Sequence, residues 1–299
     1  MAKKLGIGSW AYCFGPYASN PYPLDEVVRK LSALQFDGIE VCGFPPHVTP
    51  EDYSTPAKRA EAKRLFDDAG LGVCGYAANL MDVPPAMDDA ASPYLDRFKQ
   101  CCEVCVGIGS PSIRVDTVSG PMLPADVPYA TAWGRVVGKF GKAAEVAQDA
   151  GLLLVWEFEP GFLFNKPSEI VKMASDVGHA NFQILFDTCH AQMVAVNGSR
   201  QPKPRETLPG GIVELTQMLS GRIGHIHLID SDNTLHGDET STHAPFGQGV
   251  VDFDTVIPAI LDAGYNGEWW SIDLCFWPEA WEVTEAAKAF LRPYMERYA

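Results

Sequence analysis

The chain has 299 residues, 46% hydrophobic and 20% charged, the proportions of a globular protein with a sizeable core. Its net charge of −15 argues against nucleic acid or an anionic membrane surface as a partner. No apolar run approaches the about 18 residues of a transmembrane helix, and Met1-Ala2-Lys3-Lys4 leads straight into strand-like Leu5-Gly6-Ile7-Gly8 rather than a signal-peptide core.

In chain order, Lys4 to Tyr12 reads as a first strand and Leu24 to Leu34 as an amphipathic helix with Asp25 and Glu26 in its first turn. Gly38-Ile39-Glu40-Val41-Cys42 is a second strand, and Pro56 to Ala69 a helix that Gly70 ends. Val73–Asn79 and Ile113–Asp116 are the third and fourth strands, with helices over Pro93–Ile108 and Ala130–Ala150. The fifth strand, Leu152–Phe158, begins with an apolar run that has no polar face, so it must be covered on both sides. A helix over Pro167–Val177 follows, then strand Phe182–Phe186 and helix Gly211–Leu219. Strand Ile223–Ile229, helix Phe253–Ala263, strand Gly267–Leu274 and a closing helix over Ala280–Tyr298 complete the chain.

Strands alternating with helices imply parallel pairing and right-handed crossovers. Eight such units in somewhat more than ~250 residues predict one (β/α)8 TIM barrel spanning residues 1–299 as a single domain. Neither GxGxxG nor GxxxxGK[ST] occurs, so no dinucleotide or P-loop phosphate site is expected. The eight cysteines are scattered through apolar segments. Cys102 and Cys105 have CxxC spacing but stand inside a helical pattern without a second pair, so reduced cysteines and a cytoplasmic location are expected.

Long loops follow the third, fourth, sixth and seventh strands, at Leu80–Ser92, Val118–Tyr129, Met193–Pro209 and Ser231–Gly249. In a barrel these gather at the strand C-termini, where active sites are built. Trp10, Tyr12, Phe14, Phe162 and Trp277 near that end are candidate stacking surfaces for a sugar ring, Trp10 and Trp277 above all.

Four successive strands carry metal-capable groups where each leaves the barrel: Glu157, Asp187, His227 and Asp273. Adjacent strands lie about 4.8 Å apart, so four neighbouring strand ends can converge on one ion. Carboxylates with one imidazole suit a hard divalent cation, Mn2+ ahead of Mg2+ or Co2+. Singly each residue has a plainer reading, as a solvated strand end, a turn cap, a core histidine or a rim acid. Their recurrence at one phase of consecutive units favours a shared site. Glu159 follows Glu157 at strand period two and is either a second acid facing substrate or a rim charge. His225 shares a face with His227 and is expected to support it rather than ligate. Arg114 either binds substrate or holds an acid in place, and His243, in a Gly- and Pro-rich loop, is a candidate gate or proton carrier.

Val155-Trp156-Glu157, Phe186-Asp187-Thr188-Cys189-His190, Gly224-His225-Ile226-His227-Leu228 and Ser271-Ile272-Asp273 resemble the signatures of the sugar-phosphate isomerase/epimerase family, the xylose isomerase-like TIM barrels. Phe36-Asp37-Gly38-Ile39-Glu40 and Pro245–Phe253 extend the resemblance over nearly the whole chain. It implies a metal held by Glu157, Asp187, His227 and Asp273, with His190 contacting substrate. It also implies Glu157 and Asp273 as the acid/base pair of an enolisation beside a carbonyl. Two positions depart from the ketose 3-epimerases. Asp273 stands where they have Glu, and the run Leu228–Asn233 after His227 lacks the arginine that they place there, which points to a non-phosphorylated sugar or polyol.

The expected function is therefore a metal-dependent carbohydrate isomerase or epimerase. The alternative is a lyase with the same metal and base, resembling inosose dehydratases or the barrel subunits of C-glycoside deglycosidases, which act on 3-oxo-glycosides. A homo-oligomer, or pairing with a small second subunit, is the expected assembly. Phosphodiester cleavage, as in endonuclease IV relatives, suits the acidic balance poorly. A non-catalytic sugar-binding barrel would not need all four candidate ligands.

Overall fold

The structure, a computed structural model, describes residues 2–237 and 239–298. The strands are β1 (Lys4–Ile7), β2 (Gly38–Cys42), β3 (Gly72–Ala77), β4 (Ser112–Val115), β5 (Leu153–Glu157), β6 (Phe182–Asp187), β7 (Ile223–Leu228), β8 (Asp230–Leu235), β9 (Ser241–Ala244) and β10 (Trp269–Ile272). The helices are α1 (Leu24–Ala33), α2 (Pro56–Asp68), α3 (Ser92–Ile108), α4 (Tyr129–Asp149), α5 (Pro167–Val177), α6 (Thr188–Ala195), α7 (Gly211–Met218), α8 (Phe253–Asp262) and α9 (Ala280–Arg297). All strands but β8 and β9 form one parallel sheet in the order β1-β10-β7-β6-β5-β4-β3-β2. A bridge between Gly8 and Glu40 joins its two edges, so the sheet closes as the expected TIM barrel. No helix among the described residues is long and apolar enough to cross a membrane.

The outer faces of the strands meet the helices through large apolar side chains. Trp156 of β5 and Phe182 of β6 pack with Phe140 of α4, at ring separations of 5.6 to 6.4 Å. The sequence places stops where the helices need them. Gly109 and Gly178 end α3 and α5 with φ of 79° and 62°, a region that costs glycine little. Thr55 and Asp252 cap α2 and α8 with their side chains.

Three local readings change. The first strand stops at Ile7, because Ser9–Tyr12 turns into a 3-10 helix that carries Trp10 over the barrel end. Gly8 permits that approach: a Cβ there would lie 2.3 Å from the Trp10 ring. A helix absent from the sequence reading, α6, begins directly after Asp187, whose Oδ1 caps it by accepting the His190 N–H at 2.7 Å. The long loop after β7 contains the antiparallel hairpin β8–β9.

Asp230 anchors that hairpin. It is 2% exposed, and its carboxylate accepts the backbone N–H groups of Ser231, Gly247, Gly249 and Val251 at 2.8 to 3.0 Å. This strand-end carboxylate is therefore fully engaged by backbone rather than turned to the cavity. Asp230→Ala leaves those donors without their acceptor, and urea denaturation should show a loss of about 3 kcal/mol or more. A loss below about 1 kcal/mol would mean that the loop does not depend on this carboxylate.

Candidate active site

Strand register decides what meets inside the barrel. Asp187 of β6 pairs with His227 of β7, and His227 pairs with Ser271 of β10, two residues before Asp273. Glu157 ends β5 beside Leu185 of β6. With period two along each strand, Glu157, Asp187, His227 and Asp273 all turn inward, and none is more than 2% exposed. One potential ligand atom from each lies within 4.8 Å of the others.

His227 Nδ1 is 2.9 Å from Glu157 Oε1, 3.5 Å from Asp273 Oδ2 and 3.9 Å from Asp187 Oδ2. Asp187 Oδ2 is buried and accepts no hydrogen bond among the described residues, although its partner oxygen is used by the α6 cap. An unpartnered buried carboxylate oxygen facing two more carboxylates and an imidazole fits a divalent cation in both charge and donor type. The electrostatics agree. Burial, then the neighbouring acids, push Asp187 up to about 7 against the pull of His243 and His227. Burial would also raise Asp273, but His243 and His227 beside it hold its carboxyl well below the usual range. His227, which burial alone would lower, is pushed well above its ordinary value by Glu40 and Glu157.

The shorter acid at 273 is fixed in place. Its Oδ1 accepts Trp10 Nε1–H at 2.8 Å and the Cys275 N–H at 2.9 Å, and His243 Nδ1 lies 3.2 Å away. Arg114 of β4 reaches Glu157 Oε2 at 2.6 Å, Glu159 Oε1 at 2.9 Å and Asp116 at 3.3 Å. It is thus engaged by three carboxylates. Burial pushes Glu159 up to about 8, helped by Asp116 and opposed by Arg114. His190, in the first turn of α6, holds Ser241 Oγ at 2.9 Å through Nδ1 and points Nε2 at Glu157 (4.0 Å) and Glu159 (3.8 Å). Burial, then His243, keep His190 well below its ordinary value, so it is neutral. His243 arrives on β9, with its ring 4.8 Å from that of His190, and Asp273 and Asp187 push it up to about 9 against the effect of burial.

These groups floor a cavity of about 470 Å3. Trp10, Arg114, Glu159, His190, His243 and Asp273 line it, with Phe14, Phe44, Phe162 and Phe276 as apolar wall. Tyr12 and Trp277 do not line it. Tyr12 bonds Thr284 and packs edge-on against Trp281, and half-buried Trp277 packs on the core behind the wall. In place of Trp277 its neighbour Phe276 faces the cavity, with a φ of 63° and its ring stacked on His236. Arg200, at the mouth, was not foreseen as a site residue; it donates to the Glu239 carbonyl. Glu40 was noted only within a signature, yet it lies buried between His225 and His227. An acid between Ile39 and Val41 on an otherwise apolar strand was the signal available.

A family model for the xylose isomerase-like TIM barrel matches residues 28–294. The chain belongs to that family. Among curated relatives, fructoselysine 3-epimerase of Escherichia coli O157:H7 is 23% identical over 250 residues, covering 82% of this chain and 83% of the relative. Inosose dehydratase of Klebsiella pneumoniae subsp. pneumoniae is 22% identical over 287 residues, covering 88% and 87%. Among solved structures, a D-tagatose 3-epimerase-like protein superposes with a TM-score of 0.73 at 20% identity, covering 99% of this chain and all (100%) of that one. The IOLI protein with a bound zinc atom gives 0.71 at 14% identity, covering 97% of each chain. These two structures share the fold. The curated relatives mark this xylose isomerase-like barrel as an enzyme.

Proposed function

We propose that this enzyme acts on a non-phosphorylated sugar or polyol by taking a proton from carbon beside a carbonyl, with one divalent ion, Mn2+ ahead of Mg2+ or Co2+, held by Glu157, Asp187, His227 and Asp273. The convergence of those four buried groups, with Asp187 Oδ2 left unpartnered, carries the reading. Both curated relatives named above, a 3-epimerase and a dehydratase, carry names of sugar or polyol transformations. When bound, the ion supplies electrophilic stabilisation of the negative charge that develops on substrate oxygen.

The chain's own groups divide the remaining work. Glu157 takes the proton, oriented by Arg114 at 2.6 Å and His227 at 2.9 Å. Glu159, a protonated carboxyl up to about pH 8, and neutral His190 face the same cavity and return a proton to carbon or to a departing oxygen. Contact of Arg114 with the carboxyl groups of Glu157, Glu159 and Asp116 leaves it unavailable for a phosphate, which suits an uncharged substrate.

Elimination is the second reading, and Asp273 favours it. Trp10 and the Cys275 N–H both hold the same Asp273 oxygen, so this short acid is tied down as a ligand rather than free to act as a second base on carbon. A single base with a protonated Glu159 is the equipment of a dehydratase or of a lyase acting on an oxidised glycoside. Metal content and deuterium uptake from D2O decide between the two. Solvent deuterium entering a ketose at C3 in the metal-loaded enzyme supports epimerisation. Metal without exchange into free sugars, and with release of water or aglycone from a keto-substrate, supports elimination. Activity that survives complete removal of divalent ions would end both readings.

A further inference from the structure

Beneath the four proposed ligands lies a buried acid to which that reaction gives no part. Glu40, on β2, is 1% exposed, and its Oε2 stands 2.9 Å from His225 Nε2 and 3.0 Å from His227 Nε2. Both contacts have hydrogen-bond length, and a carboxylate can only accept, so each imidazole carries its proton on Nε2. A neutral imidazole has one donor and one lone pair. His227 Nδ1 faces Glu157, Asp273 and Asp187 at 2.9, 3.5 and 3.9 Å, and without an ion it too donates, to Glu157; an ion bound there would displace that proton and leave the lone pair on Nδ1, because Glu40 keeps the other proton on Nε2. Held the other way, the ring would aim an N–H at the ion position.

The backbone makes room for this acid. The β2–β3 register shifts between Ile39 and Glu40, which sets Glu40 opposite Gly75. A Cβ at Gly75 would come within 3.0 Å of Glu40 Oε1.

The geometry points to Glu40 as the positioning residue that sets the tautomer and ring plane of His227 for ion binding, with His225 bracing the same carboxylate oxygen. This inference rests on the divalent-ion reading of Glu157, Asp187, His227 and Asp273. A rival use of the same atoms is as ligands, since Glu40, His225 and His227 also bring ligand atoms within 4.8 Å of one another. That use would require His227 to bind ions through both nitrogens, which a neutral imidazole with one lone pair cannot do.

The test compares the full-length protein with Glu40→Gln, which keeps shape and removes charge, using Zn2+ as probe and 15N-labelled histidine. Expected are one Zn2+ per chain in both proteins, an affinity about 10- to 100-fold weaker in the variant, and a His227 proton on Nε2 whose exchange with water speeds up in the variant. Zn2+ affinity within about threefold of the parent, or a His227 proton on Nδ1 in the loaded parent, would overturn the assignment. So would a second Zn2+ per chain that Glu40→Gln loses, because Glu40 would then be a ligand. Should the variant fail to fold, the His227 proton position in the loaded parent decides alone. A parent protein that binds no Zn2+, or binds it undiminished in Asp187→Asn, removes the ion reading itself, and the assignment of Glu40 falls with it.

Discussion

Asp187→Asn should abolish stoichiometric binding of a divalent ion and lower kcat/KM by about 10^3-fold, equivalent to about 4 kcal/mol of transition-state stabilisation. The substitution separates two jobs of one side chain. Asp187 Oδ1 caps α6 by accepting the His190 N–H, and the amide oxygen of Asn can do the same. Asp187 Oδ2 is the buried oxygen without a partner, and an amide nitrogen in its place turns an acceptor facing the ion into a donor. The fold should therefore persist while the ion is lost. Thermal unfolding supplies the second readout. At a free ion concentration 100 times Kd, binding to the folded state alone adds about 2.7 kcal/mol, a rise of about 5 °C for a chain of this size. Wild type should show that rise with Mn2+ and the variant should not. Asp187→Ala, which also removes the cap, should lose about 1 kcal/mol more in the absence of metal. Retention of both metal and activity in Asp187→Asn would show that the unpartnered oxygen is not a ligand.

Much of this site was legible because a parallel barrel writes itself plainly. Leu153–Glu157 and Phe182–Asp187 are buried on both faces, so they appear as apolar runs, and the polar residue that ends each run marks the barrel rim. What stayed hidden has specific causes. Helix α6 is buried at every residue, so Thr188–Ala195 shows no amphipathic pattern and reads as a loop after the strand. Strand β8 has exposed polar residues at Asn233 and Thr234, and a rim hairpin needs no apolar alternation. Asp230 resembles the other strand-end acids in sequence, and only its contacts with four backbone N–H groups set it apart. The choice between Phe276 and Trp277 as cavity wall depends on the left-handed backbone at Phe276, which composition does not reveal. Glu40 on β2 stands five places from β7 in the sheet order and far along the chain from His225 and His227, so the pairing exists only once the barrel closes.

Arg114→Met should cost the metal-free protein about 3–5 kcal/mol at pH 8 and much less at pH 5. Arg114 is a buried cation among Glu157, Glu159 and Asp116, at 2.6, 2.9 and 3.3 Å. Methionine keeps an unbranched apolar stem but leaves those carboxylates without their cation. The direction of the pH effect follows from two of them. Burial, the largest influence on each, pushes Asp116 up to about 6 and Glu159 up to about 8, above the ~3.9 and ~4.3 of an unfolded chain. Groups raised in this way give stability that is complete below the unfolded values and is lost as pH rises through the folded ones. Arg114 limits that loss, because it pulls both acids down. Without it their folded values climb further, and the penalty above pH 8 deepens. At pH 5 both acids are protonated in the folded variant, so the missing cation matters least. Urea denaturation of chelator-treated wild type and variant at the two pH values checks this, and a difference independent of pH would show that Arg114 acts through packing rather than charge. With the ion restored, the divalent charge should recover part of the lost stability. Activity should stay about 10^2-fold down, since Glu157 would remain in the site without the guanidinium that orients its free oxygen.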